Sequence, residues 1–161
     1  MKVLRPSAAL ATATATACML AAAPSAEAVI QVQRGISGIA IGMSAARVNE
    51  GLGTPSHVTT GTNDFGPFTQ FLYPGAITVT FQGNANVTAV SISSPTDRTV
   101  RGVGIGSTLK AVKHGVPGVR CQTFAGVTDC MIGKLIANQR VTDFMIRHGR
   151  VTRVTIAIFF P

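Results

Sequence analysis

The stretch Gly38-Ile39-Ala40-Ile41-Gly42 decides the fold, because a similar stretch, Gly102-Val103-Gly104-Ile105-Gly106, follows it 64 residues later. At the same offset, Val87-Thr-Ala-Val-Ser-Ile92 falls on Val151-Thr-Arg-Val-Thr-Ile156. Two separate matches at one offset without gaps indicate an internal duplication. The sequence therefore predicts two repeats, residues 29–97 and residues 98–161.

Each predicted repeat begins with the pattern of a short helix. Ser44 and Thr108 are hydroxyl residues that can cap a helix by accepting a hydrogen bond from a free amide of its first turn. Apolar residues then recur at three- and four-residue spacing, which is typical of the buried stripe of an amphipathic helix. They are Ala45, Val48 and Leu52 in the first repeat and Leu109, Val112 and Val116 in the second. Helices this short are marginal alone, so we expect them to pack on a sheet.

Strand patterns follow each helix. Ile77, Val79 and Phe81 alternate with polar residues, which is the period of a half-buried strand. Predicted strands cover residues 68–73, 76–82 and 87–93 in the first repeat, and 140–147 and 150–160 in the second. Weaker patterns cover 56–60 and 120–125. The predicted fold class is α+β, with two tandem repeats, each a short helix on a three- to four-stranded antiparallel sheet.

One residue conflicts with this scheme. The offset of 64 places Asp143 at the position of Val79, facing the core. A buried carboxylate without a partner is costly. Two alternatives remain open: a bulge turns Asp143 outward, or Arg153 or Arg147 pairs with it.

The N-terminus has the pattern of a signal peptide. Lys2 and Arg5 precede an apolar stretch, residues 8–23, and Ala26-Glu27-Ala28 fits a cleavage site. We therefore expect export, with residues 1–28 removed. Lipid anchoring at Cys18 is the alternative. Cys121 and Cys130 then remain as a pair, which favours a disulfide in an oxidising compartment.

Positive charge is concentrated in the second repeat. Residues 29–97 contain two basic and three acidic residues, a net charge of −1, whereas residues 98–161 contain ten basic and two acidic residues, a net charge of +8. A solvated basic surface would explain this, and so would a contact face for an acidic protein or an anionic polymer. Arg147, Arg150 and Arg153 surround one predicted hairpin turn, His148-Gly149, so we expect them to act together.

The start of each repeat resembles known exported families. Gly42-Met43-Ser44, then Val48, Leu52-Gly53 and Pro55, resembles the small outer-membrane lipoproteins of the SmpA/OmlA (BamE-like) family. Two such units behind a signal peptide resemble the β-lactamase inhibitor proteins, and Gly106, Thr108, Val112 and Cys121 keep their Gly-x-Thr-x3-Val-x8-Cys spacing. This resemblance implies a tandem helix-plus-four-strand fold and a bond from Cys121 to Cys130.

The aromatic residues limit what the resemblance implies about function. Those inhibitors hold their targets with a concave sheet rich in tyrosine and tryptophan, whereas this chain has no tryptophan and one tyrosine, Tyr73. The segment from Asn63 to Phe68 combines Asp64, Phe65 and Phe68 with glycine and proline, so we interpret it as an exposed contact turn. We also take Tyr73 as a candidate contact residue.

No catalytic or metal-binding pattern occurs in the sequence. None of the three histidines, His57, His114 and His148, has a second ligand at a metal-site spacing, and no G-x-S-x-G motif is present. Basic residues without interleaved aromatic residues do not indicate nucleic-acid binding. We therefore expect no enzyme and no cofactor, but an exported module that binds another protein or an anionic envelope polymer. The alternative is an inhibitor of a secreted hydrolase such as a β-lactamase or a protease.

Overall fold

The computed structural model describes residues 30–83 and 86–160. The predicted leader, with Cys18, lies outside the described residues. The described ranges contain two α-helices and eleven strands. They are β1 (Ile30–Gln31), β2 (Gly35–Ile36), β3 (Ile39–Ala40), α1 (Ala45–Leu52), β4 (His57–Asn63), β5 (Gly66–Tyr73), β6 (Ile77–Gln82), β7 (Ala89–Ile92), α2 (Leu109–Gly115), β8 (Arg120–Phe124), β9 (Val127–Ile132), β10 (Arg140–Arg147) and β11 (Arg150–Ile158).

Eight of the strands form one antiparallel sheet with the spatial order β4-β5-β6-β7-β11-β10-β9-β8. At its centre β7 pairs with β11, and Val90 lies opposite Ile156. The α+β class is confirmed. The strands of the two halves share one sheet, however, instead of forming a separate three- to four-stranded sheet under each helix.

Both helices begin at the predicted caps. The Ser44 Oγ accepts a hydrogen bond from the Arg47 amide at 3.4 Å, and the Thr108 Oγ1 accepts one from the Ala111 amide at 3.2 Å. Val48 in α1 and Val112 in α2 are fully buried. Each helix therefore places its apolar stripe in the core as the spacing predicts.

The core lies on one face of the sheet. Alternating residues of the central strands point into it, among them Val79, Val90, Phe144 and Val154. The strands β1, β2 and β3 form a small separate sheet, whose Ile30, Ile36 and Ile39 join the same core. The sequence did not predict this small sheet.

Close backbone packing explains one glycine of the small sheet. A Cβ at Gly35 would clash with the carbonyl oxygen of Ile39, which lies on the paired strand β3. The β2–β3 hairpin can therefore form this tightly only with glycine at position 35.

The predicted hairpin turn at His148-Gly149 is confirmed. Both residues have positive φ, 49° and 74°, as a two-residue turn of type I′ requires. Ala125-Gly126 joins β8 to β9 in the same conformation, with φ of 48° and 80°. The predicted strand near 120–125 is β8, whereas β9 follows it as a strand that sequence patterns did not define.

The predicted core position of Asp143 is wrong. Val79 pairs with Val90, but Val154, which lies 64 residues after Val90, pairs with Phe144. The offset is therefore 65 residues in β10, and Phe144 takes the core position. The connection between β9 and β10 is longer than that between β5 and β6, and Asp143 points to the opposite face. The β10–β11 pair does contain a bulge, but it lies between Met145 and Ile146 and not at Asp143. The backbone partner of Asp143 is Thr155.

A disulfide joins Cys121 to Cys130. The two residues lie opposite each other in the β8–β9 pair, with a Cα–Cα distance of 4.0 Å. Cys130 is fully buried, so the bond ties the outermost strand β8 to the core side of the sheet.

Candidate functional site

The face of the large sheet opposite the core forms the candidate site, which we call the open face. Strand register defines one row of residues that crosses all eight strands on this face. The row is His57, Leu72, Thr78, Ser91, Thr155, Asp143, Met131 and Arg120. All eight side chains are exposed or half-buried, in contrast to the buried residues one position along each central strand.

The first half of the open face is uncharged and rich in hydroxyl and amide groups. Thr59, Gln70 and Thr80 lie in the next row, and the Gln70 Nε2 donates to the Thr80 Oγ1 at 3.2 Å. Phe68 lies opposite Gly61 on the edge strand, and its ring covers the space that a side chain at Gly61 would take. This half offers hydrogen-bonding groups and a small apolar surface.

The second half of the open face carries charge. One row of this half consists of Gln122 on β8, Asp129 on β9, Met145 on β10 and Arg153 on β11, each opposite the next. Asp143 lies diagonally across from Asp129, because Asp143 pairs with Met131 and Asp129 pairs with Met145. Two carboxylates and two methionines are thus adjacent at the centre of this half.

The two carboxylates are partly shielded from solvent. One oxygen of Asp129 and one of Asp143 are buried without a hydrogen-bond partner. Burial and, as the smaller cause, the negative charge of Asp129 together raise the pKa of Asp143 from its ordinary value of 3.8 to about 7. The predicted pairing of Asp143 with Arg147 or Arg153 does not occur, since Arg47–Glu50 is the only ion pair among the described residues.

An apolar pocket of about 420 Å³ lies beside this acidic pair at the outer end of the sheet. Its walls include Phe124 and Leu135, and Arg120 and Lys134 provide positive charge. Phe124 is 86% exposed. Sequence reasoning assigned Phe124 to a strand pattern and did not identify this pocket, because the loop that brings Leu135 to β8 has no recognisable pattern.

The predicted contact turn lies at the opposite corner of the sheet. Asp64 and Phe65 form the two-residue connection between β4 and β5, and both are exposed. The Phe65 ring is 50% exposed and lies 5.8 Å from the Phe160 ring, centroid to centroid. The turn is thus held against the C-terminal segment while one side of Phe65 faces solvent.

Two other predicted contact residues have different surroundings. Phe68 is half-buried on the open face over Gly61. Tyr73 is only 2% exposed, and its hydroxyl donates to the Asn49 Oδ1 at 2.7 Å. The prediction that Tyr73 is a contact residue is wrong, because its ring lies in the core between the sheet and α1.

The three predicted arginines lie together at one end of the β10–β11 hairpin. Arg147 pairs with Arg150 on either side of the turn, and all three side chains are exposed. The Arg150 guanidinium donates to the Gly106 carbonyl at 3.0 Å, whereas Arg153 lies farther along β11 on the open face. The hairpin therefore concentrates positive charge at the rim of the open face.

Within residues 30–83 and 86–160, no group of three or more metal-ligating side chains is assembled. Among these same residues, no helix is long and apolar enough to cross a bilayer.

Comparisons with known proteins relate this chain to others by fold only. No family model matches the sequence, and no curated protein matches it. An extracellular protein containing a SCP domain from Bacillus anthracis aligns with 80% of this chain at a TM-score of 0.55 and 10% identity. The chain spans about half of that protein, 48% of its length.

Two further solved structures show weaker similarity. A DUF4309 family protein from Bacillus subtilis has a TM-score of 0.49 at 15% identity, with 81% of this chain and 88% of that chain covered. A protein described as a candidate β-lactamase inhibitor, from Streptococcus mutans, has a TM-score of 0.34 at 14% identity, with 80% and 88% covered. These scores do not establish a shared function.

Proposed function

We propose that this chain is an exported, non-catalytic module that binds another protein or an anionic envelope polymer through the open face and its arginine rim. The observation that carries the proposal is the open face itself. It crosses eight strands with exposed or half-buried side chains, while the helices and the small sheet contribute to the core on the other face. A broad, stable sheet surface of this kind is suited to binding an extended or flat partner.

The disulfide and the leader pattern support export. A bond between Cys121 and Cys130 persists in oxidising compartments and is rare in the cytosol. The leader pattern at residues 1–28 is consistent with the same location. The extracellular protein from Bacillus anthracis supports only the fold, since its identity to this chain is 10%.

A tandem duplication would account for the arrangement of the large sheet, in which each half contributes four neighbouring strands. The proposal is that residues 29–97 and 98–161 arose from one helix-plus-four-strand unit. Equivalent contacts support it: Ser44 bridges to Asn86 and Thr108 to Arg150, each pair separated by the same number of residues. The Gly42 amide donates to the Val87 carbonyl and the Gly106 amide to the Val151 carbonyl, both at 2.8 Å.

The arginine rim and the uncharged first half of the open face differ in the contacts they can make. The arginine rim favours an acidic or phosphate-containing partner, and such attraction weakens as salt rises. The uncharged first half of the open face favours hydrogen bonds and apolar contacts, which depend little on salt. A partner that crosses both halves therefore combines a salt-dependent contact with a salt-independent one.

The electrostatic contact can be tested with a poly(glycerol phosphate) polymer as the probe. Calorimetry would measure its binding to the protein at low and high ionic strength. We expect the triple variant Arg147→Glu, Arg150→Glu, Arg153→Glu to lose binding. The matched control, Arg101→Glu, Lys110→Glu, Lys113→Glu, makes the same change in net charge around α2 and should retain most of it. Binding that resists both salt and the rim variant would refute the electrostatic contact.

Inhibition of a secreted hydrolase is the second candidate function. It is favoured by the Asp64-Phe65 turn, which presents a carboxylate and a half-exposed aromatic ring at a corner of the sheet. A projecting turn of this composition can enter an enzyme cleft. Titration of a β-lactamase and several extracellular proteases with the protein would test it. A lack of inhibition at micromolar concentrations would exclude those enzymes as targets.

A further inference from the structure

The edge strand β4 has the features of a strand that pairs with another chain. It lies at one end of the eight-stranded sheet, and its strand partner in the described structure is β5. Six of its seven residues are exposed. Its outer row of backbone amides and carbonyls is therefore available for a further strand.

The two ends of the sheet differ in how they are protected. The opposite edge, β8, has five residues, begins with Arg120 and is crosslinked to β9 through Cys121. Short length and charge are common means of preventing edge pairing. By contrast, β4 has seven residues, contains no charged residue and no proline, and pairs with β5 in continuous register without a bulge.

We propose that β4 pairs antiparallel with β4 of a second copy of this chain, which makes the protein a two-fold symmetric dimer with a continuous sixteen-stranded sheet. The strand is self-complementary when the two-fold axis passes at Thr60. In that register Thr60 faces Thr60 of the second copy, Thr59 faces Gly61, and His57 faces Asn63. No charged side chains are opposed, and threonine pairs are favourable across strands.

The distribution of charge favours a second copy at this edge. A β4–β4 dimer joins the two halves of low charge, each with a net charge of −1, and keeps the halves with a net charge of +8 at the far ends of the combined sheet. Pairing through β8 would instead bring two strongly positive halves together, with Arg120 on both strands. Coulomb repulsion therefore selects β4 over β8.

Phe68 gives the β4 edge a surface that a second strand can contact. Its ring covers Gly61, so the glycine leaves no gap in the edge strand. In the proposed register Thr59 of the second copy lies opposite Gly61, where its methyl group can pack on the Phe68 ring. The pairing thus combines main-chain hydrogen bonds with an apolar contact.

The test uses the protein expressed from its full sequence in a host that exports it. Sedimentation velocity over a concentration series should show a dimer for the parent protein. Thr60→Lys and Thr60→Glu each place two like charges opposite each other at the axis, so each should weaken dimerisation by about tenfold or more. Because Thr60 is exposed, both variants should fold, which circular dichroism would verify.

An equal mixture of the two variants provides the decisive measurement. Lysine on one copy then faces glutamate on the other, and the dimer should return. The control, Gln122→Lys, adds the same charge to the exposed surface of the other edge, β8, and should leave the dimer intact. A monomeric parent protein at hundreds of micromolar, a dimer lost in Gln122→Lys, or a mixture that stays monomeric would each overturn the proposal.

Discussion

Asp143 on β10 and Asp129 on β9 are diagonal neighbours on the open face, and each has one carboxyl oxygen that is shielded from solvent and accepts no hydrogen bond. Arg120 and Arg153 lie on the same face but form no ion pair with them within the described part of the chain. The acidic pair is therefore tolerated best when one of its members is protonated.

This pair makes stability depend on pH. The folded-state pKa of Asp143 is about 7, against an ordinary value of 3.8, so the folded state holds a proton that the unfolded state releases between these values. The free energy of unfolding should therefore fall as pH rises from about 4 to about 7 and level off above it. Urea denaturation at several pH values would measure this slope.

Asp143→Asn should remove most of that slope. The neutral amide has no charge to desolvate, so the free energy of unfolding of the variant should exceed that of the parent by about 1–2 kcal/mol at pH 8, after allowance for solvent screening. The difference should be smaller at pH 5. Asp64→Asn, in an exposed turn, is the control and should keep the parent's slope. Equal slopes for Asp143→Asn and the parent would contradict this account.

The disulfide should stabilise the outer end of the sheet. Replacing both Cys121 and Cys130 with alanine opens a loop that spans a sequence separation of 9 residues. The loop-entropy model predicts a loss of about 2–3 kcal/mol. Urea denaturation would measure it, and reduction of the parent protein should give a similar loss. An unchanged midpoint in both cases would show that β8 is held by other contacts.

The hydrogen bond from Tyr73 to Asn49 should contribute to the attachment of α1 to the sheet. Tyr73→Phe keeps the buried ring and removes only the hydroxyl, so we expect a loss of about 1 kcal/mol. Asn49→Ala should cost a similar amount. In a double-mutant cycle the two losses should not add, because both variants remove the same bond. Additive losses would argue against a direct interaction.

Gly35 should tolerate no side chain. Gly35→Ala places a Cβ against the Ile39 carbonyl and should destabilise the protein by about 2 kcal/mol or more, since backbone must move. Gly38→Ala, in the adjacent turn with a φ of 80° and open space around it, should cost only about 1 kcal/mol. Thermal unfolding would compare the two. A greater loss of stability in Gly38→Ala than in Gly35→Ala would contradict the close contact between position 35 and the Ile39 carbonyl.

Local patterns in the sequence were sufficient for the parts of the fold that local interactions form. The caps at Ser44 and Thr108 and the turn at His148-Gly149 each depend on a few adjacent residues, and all three lie as predicted. The pairing of β7 with β11 could not be predicted, because their alternation defines strands but not their neighbours. The two-residue strands β1–β3 are too short for any periodicity.

The candidate site was less predictable than the fold for the same reason. The arginine rim was found because one hairpin contains all three residues. The acidic pair was not predicted, because its prediction requires knowing which residues of β10 face the core. One extra residue before β10 exchanges the side chains that face the core with those that face the open face. Tyr73 was misplaced because an aromatic residue at the end of a strand can point to either face.

The central pairing of β7 with β11 has a consequence for synthesis. During translation the first half emerges with β7 paired to β6 on one side only, and β11, the last of the described strands, completes the sheet only after it has been synthesised. Until then the nascent polypeptide presents an incomplete ladder at what becomes the middle of the molecule, so truncation between residues 92 and 150 should leave an aggregation-prone intermediate.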